Sequence, residues 1–395
     1  MFGFTWFKKS HSLTDPRLSE LFGFTPTLSG QTVTAATALH VPAVNAAVRI
    51  ISESVAALPA HVLKFDGTSK ILDKGNTIYR LIHNEPNGWT SSYDFRLQIQ
   101  VDVLLHGNGY AFVNRVAGTP RELIRLAPTS VTVAHDQSSG EPVYTVTNSS
   151  GIRRTAPYSD IIHIKAISID GVTGIAPIHH AREAIALALA LEGHAAKLLG
   201  NGARPSGILK FKSGKLTREQ LDRIKAAWQA AHGSGASGGT AVFDQDADFT
   251  PLTFNSVDMQ FVELRRMQIV EISRAFRVPP HLLSELGRAT WGNAAEMGQA
   301  FLDYTLMPWV LQWQAALTRA LFAPEERATT SIELDTSALT RANLTARTEA
   351  YAKSVGGPFL TANEARALEN RPPIEGGDIL IPANDNNQLR KTKVA

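Results

Sequence analysis

Gly235-Ala236-Ser237-Gly238-Gly239 has the G-x-S-x-G spacing that can raise a nucleophilic serine on a sharp strand-to-helix turn. Here the motif lies inside a glycine- and serine-rich run with no strand pattern leading into it. A flexible loop accounts for it, and Ser237 is not expected to act as a nucleophile. Gly214-Lys215 resembles the end of a phosphate-binding loop, but Leu216 follows where Ser or Thr would have to reach a metal ion. No glycine precedes at the required distance, so the nucleotide reading fails. His179-His180 and the i,i+4 pair Asp102 and His106 carry metal-ligating atoms. Adjacent histidines leave a helix on different faces, and neither pair has a third ligand nearby, so structural or surface roles fit them better. Acidic residues are spread too thinly to form the paired carboxylates of a two-metal nuclease. No catalytic residue, metal or cofactor is therefore expected, and the chain does not read as an enzyme.

A different chemistry gathers between residues 255 and 322. In a helix there, Val262, Ile269, Ile272 and Phe276 fall on one stripe, and Glu263, Arg266, Arg274 and Arg277 fall on the opposite one. One face packs; the other meets water or a polyanion. Pro279 and Pro280 end that helix, because proline lacks the donor amide and holds its predecessor extended. The loop that follows carries Gly287, Arg288, Trp291 and Gly292. Asn293, with Glu296 three residues on, has the form of a capping box that restarts a helix, which Pro308 should kink before Trp309 and Trp313. A mobile basic and aromatic loop is thus expected between two stiff helices.

The elements before it are legible from periodicity. Val41-Pro42 opens a helix with Val44, Ala47, Val48, Ile51, Val55 and Leu58 as its core stripe, closed by Pro59. Ala60 to Phe65 reads as a strand turning at Asp66-Gly67, and Ser91 to His106 as an amphipathic helix stopped by Gly107. Short runs at Tyr110 to Val116, Arg121 to Leu126, Ser130 to Ala134, Val143 to Asn148 and Asp160 to Lys165 give a β-meander signal, so the fold class is α+β. Pro177 starts a long helix reaching Leu199. Residues 206–253 read as an inserted module of strand, helix from Thr217 to His232, Gly-Ser loop and two short strands. Beyond Phe322 the chain turns polar, with helices near Arg341 to Ser354 and from Thr361, and a basic end at Arg390, Lys391 and Lys393.

Composition bounds the rest. The 395 residues are 44% hydrophobic, enough for a substantial core and two or three domains. Lysine and arginine outnumber aspartate and glutamate by only 39 to 36, so no polycationic footprint accompanies the net charge of +3. The absence of cysteine excludes disulfides, zinc-thiolate sites and thiol nucleophiles. Phe2 to Phe7 lacks the leading positive region and cleavage site of a signal peptide, and the apolar run from Ala184 to Leu191 is far below the ~20 residues a bilayer requires, so no membrane association is expected.

Seven stretches, in order, resemble the portal proteins of tailed bacteriophages, specifically the compact siphophage type also found in gene transfer agents. They are residues 48–59 (Val48 to Pro59), Asn84-Glu85-Pro86-Asn87, residues 104–113 with His106-Gly107-Asn108-Gly109-Tyr110-Ala111, Gly174-Ile175-Ala176-Pro177-Ile178, residues 201–207 (Asn201 to Gly207), residues 276–283 (Phe276 to Leu283) and residues 360–366 (Leu360 to Arg366). The resemblance implies a portal fold with an α/β wing (residues 1–173), stem helices at 174–204 and 255–277, and a small α/β clip insert at 205–254. It further implies a tunnel loop at 278–293, a long kinked wing helix at 294–323 and a short, mainly helical crown at 324–395.

The implied function is a ring of about twelve subunits at one capsid vertex, a conduit for double-stranded DNA. Its implied partners are the terminase large subunit, then a head-tail adaptor, and the major capsid protein. Its place is the portal vertex of a virion or phage-like particle, with the host cytoplasm during assembly. Gly287, Arg288, Trp291, Gly292 and Asn293 would face DNA, and Arg218, Arg223 and Lys225 would belong to the clip surface. Against these stand blander roles: Trp291 packed on the next helix, Arg288 solvated, and the stem arginines bridging between subunits to Glu263 or Asp258. Competing functions are a ring-forming adaptor that never meets DNA and a serine hydrolase.

Overall fold

Proline at the first position of a helix sacrifices no hydrogen bond and presets φ, and the helix over Pro42–Ala57 begins in that way. The computed structural model describes residues 27–67, 69–136, 138–200, 207–211, 217–232, 247–251, 255–285, 294–337, 339, 344–355, 357, 359–369 and 371–380. After α1 (Ala35–Ala38), capped by Thr34, α2 (Pro42–Ala57) buries the expected stripe of Val44, Ala47, Val48, Ile51 and Val55. Leu58 continues into the core in the extended conformation that Pro59 demands of its predecessor. β1 (Ala60–Phe65) and β2 (Lys70–Leu72) form the expected hairpin, followed by α3 (Thr77–His83) and α4 (Ser92–His106). The Ser91 hydroxyl accepts the Asp94 N–H at 3.0 Å to start α4, and Gly107 ends it at φ 79°. Only glycine fits there, because a Cβ would lie 2.3 Å from the Gly174 carbonyl oxygen.

Six strands come next: β3 (Asn108–Val116), β4 (Thr119–Leu126), β5 (Val131–His135), β6 (Pro142–Thr147), β7 (Arg153–Pro157) and β8 (Ile161–Lys165). A single meander was expected, yet the chain makes two antiparallel sheets, ordered β4-β3-β8 and β5-β6-β7. β8 returns to pair with β3, Asn108 opposite Lys165 and Phe112 opposite Ile161. The reason lies in β8 itself: Ile161, Ile162, His163 and Ile164 are all buried, so this strand needs cover on both faces. β7 went unforeseen because Arg153, Arg154 and Thr155 are exposed and show no apolar alternation.

The predicted helix from Pro177 is broken at Ala181 into α5 (Pro177–His180) and α6 (Arg182–Gly200). β9 (Gly207–Phe211), α7 (Arg218–His232) and β10 (Ala247–Pro251) then form the insert, with Gly207 opposite Pro251 and Phe211 opposite Ala247. α8 (Asn255–Phe276) returns alongside α6: Arg265 meets Glu192 at 3.6 Å, and the Phe261 ring lies 6.2 Å from that of His194. Those two pairings run in opposite senses along the chain, so α6 and α8 are antiparallel.

α9 (Ala294–Phe301) and α10 (Met307–Leu321) are joined by a π-helical turn over Leu302–Leu306, with the Met307 N–H reaching back to the Leu302 carbonyl. The expected disturbance at Pro308 therefore takes the form of a wide turn just ahead of it. Proline cannot donate, and the preceding turn widens to bring other amides onto its carbonyls. α10 carries Trp313 to the centre of the core at 0% exposure, where its Nε1 donates to Gln100 Oε1 at 2.8 Å. β11 (Thr330–Leu334) closes this unit by pairing with β1, Ala60 opposite Leu334 and Lys64 opposite Thr330. Arg96 is buried with no carboxylate bonded to it among the described residues. It donates to the Ala56 and Ile82 carbonyls at 2.9 Å each, at the C-terminal ends of α2 and α3, where helix dipoles favour a cation. Burial lowers its pKa to about 10, which leaves it charged at neutral pH.

Residues 335–395 form a second unit. There α11 (Leu344–Val355) precedes α12 (Ala362–Leu368), which Thr361 and Glu364 open with the reciprocal capping box. Asn363 bonds both backbone groups of Ile374 and folds that segment back on α12.

Candidate functional site

α8 stops before the prolines are reached. Arg277 takes the left-handed conformation, φ 59°, and the Val278 N–H reaches the Ser273 carbonyl at 3.0 Å. This is the six-to-one closure that usually employs glycine, here occupied by arginine at a cost of roughly 1 kcal/mol. The Arg277 carbonyl in turn accepts the hydroxyl of Thr305, a residue of the π turn. The segment that leaves α8 and the helix that receives the chain again are thereby tied together at the base of the intervening loop.

Glu263, Arg266 and Arg274 of the expected charged stripe are exposed on α8, with Arg274 paired to Glu271, though from residue 262 to 267 the exposure runs all the way round the helix. Arg277 is exposed as well, but it lies one residue beyond the helix and lines a cleft rather than continuing the row. On the opposite stripe Ile272 and Phe276 are buried and Ile269 is partly so, whereas Val262 is 53% exposed. Among the described side chains of α8, core packing covers those toward its C-terminal end. Gly287, Arg288, Trp291, Gly292 and Asn293 lie outside the described residues, although α9 begins at Ala294, directly after the proposed cap. In the insert, Arg218 and Arg223 are exposed on α7, and Lys225 belongs to the same helix.

The cleft at Arg277 encloses about 280 Å³ and was not foreseen from the sequence. Leu104, Ile175, Phe276, Pro308 and Trp309 supply its apolar walls, and Lys165 and His180 join Arg277 among its polar ones. One rim is the loop after β8. There Asp170 accepts Val172 N–H (2.8 Å), Thr173 N–H (2.8 Å), Ser168 Oγ (2.9 Å) and Thr173 Oγ1 (2.6 Å), and these donors, Thr173 Oγ1 foremost, hold its carboxyl well below the usual range. Lys165 Nζ donates to the Gly171 carbonyl across the same loop. A loop so braced holds Ile167 and Ile169 at 75% and 86% exposure.

Beneath the loop sits a buried polar chain. Asn108 Oδ1 accepts the Gly174 N–H at 2.7 Å and faces His163 Nε2 at 3.0 Å, and Tyr144 Oη lies 3.1 Å from His163 Nδ1. An amide oxygen cannot donate, so the proton sits on Nε2 and Nδ1 accepts from the tyrosine. Burial, then the nearby Lys165 and Arg319, push the His163 pKa down to about 3, so the ring is neutral. A lone polar residue within Ile161-Ile162-His163-Ile164 was the available sequence signal.

The other candidates resolve differently. Asp102 is engaged by Arg125 in a two-point ion pair of 2.7 Å each. Burial raises the Asp102 pKa, with Arg125 opposing that rise. Among the described residues no cluster of three or more His, Asp or Glu side chains could hold a metal, and no helix is long and apolar enough to cross a membrane. Ser237 and Gly214-Lys215 lie outside the described residues.

Comparison with known proteins gives the arrangement a family. The chain is 28% identical over 355 residues to the portal protein of Enterobacteria phage HK97, covering 87% of this chain and 81% of that protein. It is 30% identical over 368 residues to the probable portal protein of Streptomyces phage phiC31, covering 88% and 78%. Its fold matches a chain in the neck of a native gene transfer agent particle, solved with C12 symmetry, at a TM-score of 0.62 and 25% identity, covering 90% of this chain and all of that one. The sequence profile of the phage portal protein family matches residues 42–370, and with the helix-insert-helix order described above the conclusion is plain: this chain belongs to the phage portal protein family.

Proposed function

We propose that twelve copies of this portal protein close into a ring at one capsid vertex and that double-stranded DNA enters and leaves the particle along its axis. The observation that carries this is the antiparallel pair α6 and α8 around the β9-α7-β10 insert, followed at once by the segment 278–293. Residues 174–204 and 255–277 would be stem, 205–254 clip, 278–293 tunnel loop and 324–395 crown, with residues 1–173 and 294–323 in the wing. The twelvefold neck of the related particle supports the ring number. The role is structural rather than catalytic.

Charge supports a conduit. Duplex DNA carries one negative charge per ~1.7 Å, and a ring repeats every side chain in each subunit, so a strongly basic bore would grip rather than conduct. The net charge of +3 per chain avoids that. Arg288 and Trp291 would approach the DNA with Gly287, Gly292 and Asn293 around them, and Arg266 and Arg274 would either face the bore or bridge to a neighbouring subunit. Phosphate contacts of this kind read no sequence. Arg218, Arg223 and Lys225 would meet the terminase large subunit during packaging and a head-tail adaptor afterwards, in a tailed phage, prophage or gene transfer agent. The major capsid protein would surround the wing, and rings would assemble in the host cytoplasm before entering the particle.

Electron microscopy of the purified protein should show closed rings with an open axial hole. Deleting residues 287–292 should leave rings intact and reduce packaged or retained DNA. Rings whose particles fill normally after that deletion, and after Arg288 and Trp291 are both truncated, would favour an adaptor that does not contact DNA.

A further inference from the structure

We infer that the cleft between the post-β8 loop, the C-terminal end of α8 and the π turn docks a short protein segment of mixed apolar and acidic character. Its walls are apolar, yet Lys165 and Arg277 bring two cations to its edge, and no carboxylate lines it among the described residues. Arg277 has no carboxylate bonded to it among the described residues, and the carboxylate close to Lys165, that of Asp170, already accepts from four donors of its own loop. Burial, with Arg319, lowers the Lys165 pKa, the condition an incoming anion would relieve. The complementary occupant offers leucine-like side chains to Phe276, Trp309 and Ile175, and carboxylates to Lys165 and Arg277. Ile167 and Ile169 extend the apolar surface outward on a braced loop, so little ordering remains to be done on binding. Duplex DNA matches the charges but not the walls: a 280 Å³ cleft with apolar sides admits a few side chains, not a phosphate backbone.

Arg277 makes the test clean. Glycine prefers the φ of 59° found there, so Arg277→Gly removes the cation while relaxing the backbone, and the variant should melt at or above the wild type. The probe is a fluorescein-labelled peptide of alternating leucine and glutamate, followed by anisotropy on the full-length protein. Binding should weaken roughly three- to tenfold in Arg277→Gly and further when Lys165→Met is added, the scale of partly exposed charge pairs. Replacing glutamate by lysine in the peptide should abolish it. Equal binding by the double variant, equal binding of the lysine peptide, or displacement of the peptide by a DNA duplex would overturn the inference. So would peptide binding that disappears on assembly into rings, which would assign the cleft to a neighbouring subunit. Ring formation itself is read separately by microscopy, so this inference and the portal assembly can fail independently.

Discussion

His163 should make the protein acid-sensitive below about pH 6.5. The ring is 6% exposed, neutral, and fixed as the Nε2–H tautomer between Tyr144 and Asn108. Its pKa falls from the ordinary 6.5 to about 3 in the folded protein. For a depressed histidine the unfolded chain binds the proton first. The stabilising effect is therefore fully present above about pH 6.5 and is lost as pH falls toward 3. At pH 5 the unfolded ring is almost wholly protonated and the folded one is not, a difference of about 1.5 pH units, or about 2 kcal/mol. Urea unfolding followed by tryptophan fluorescence, at pH 7.5, 6 and 5, measures it. The wild type should lose about 2 kcal/mol more than His163→Gln over that range, because only the wild type carries this proton uptake. Asp102, raised by burial, and Asp170, lowered by its donors, titrate in both proteins and cancel in the comparison. Parallel pH dependences for the two proteins would refute the assignment of a buried neutral ring. A steeper loss in the variant would refute it too. The readout reaches the cleft, because Asn108 couples His163 to Gly174 and so to the loop that carries Ile167 and Ile169.

Three further outcomes follow from contacts already described. Arg96→Met removes the donors to Ala56 and Ile82 and should cost about 3 kcal/mol, from carbonyls left dry at two helix ends, measured by denaturant midpoint. Gly107→Ala places a Cβ against the Gly174 carbonyl and forces a strained φ, so a loss of at least about 3 kcal/mol or an insoluble product is expected, read from soluble yield and unfolding curves. Thr305→Val keeps the shape and deletes the donor to the Arg277 carbonyl. It should cost about 1 kcal/mol and speed amide exchange over residues 278–285 while leaving β8 unaffected.

Local rules made much of this fold legible. Val44 through Leu58 repeat at the helical period and end at a proline, Ser91 and Gly107 bracket α4 with cap chemistry, and Thr361 with Glu364 announces α12; each is a decision taken within a few residues. The parts that stayed hidden depend on partners distant in sequence. β11 becomes a strand because β1 lies open beside it, and β8 is drawn to β3 rather than to β7 by the need to cover four consecutive buried residues. Arg277 in a conformation suited to glycine has no sequence signal at all, since arginine is an ordinary helix residue. Neither does the cleft, whose walls come from α4, the post-β8 loop, α8 and α10. Helical period placed Ile272 and Phe276 toward the core, whereas the exposure of Val262 depends on which neighbours reach that part of α8, which period cannot express.

The pairing of β1 with β11 has a temporal consequence. Strands centred near residues 62 and 332 are neighbours, so the first sheet of the chain cannot be finished until its last strand has left the ribosome. During synthesis β1 would wait with one edge open, and exposed strand edges are what drive chains to associate wrongly. Contacts of such large sequence separation also form slowly. A subunit destined to meet identical copies is thus barred from presenting its finished surface while still nascent, and a shortened translation product ending before residue 330 would be unable to join.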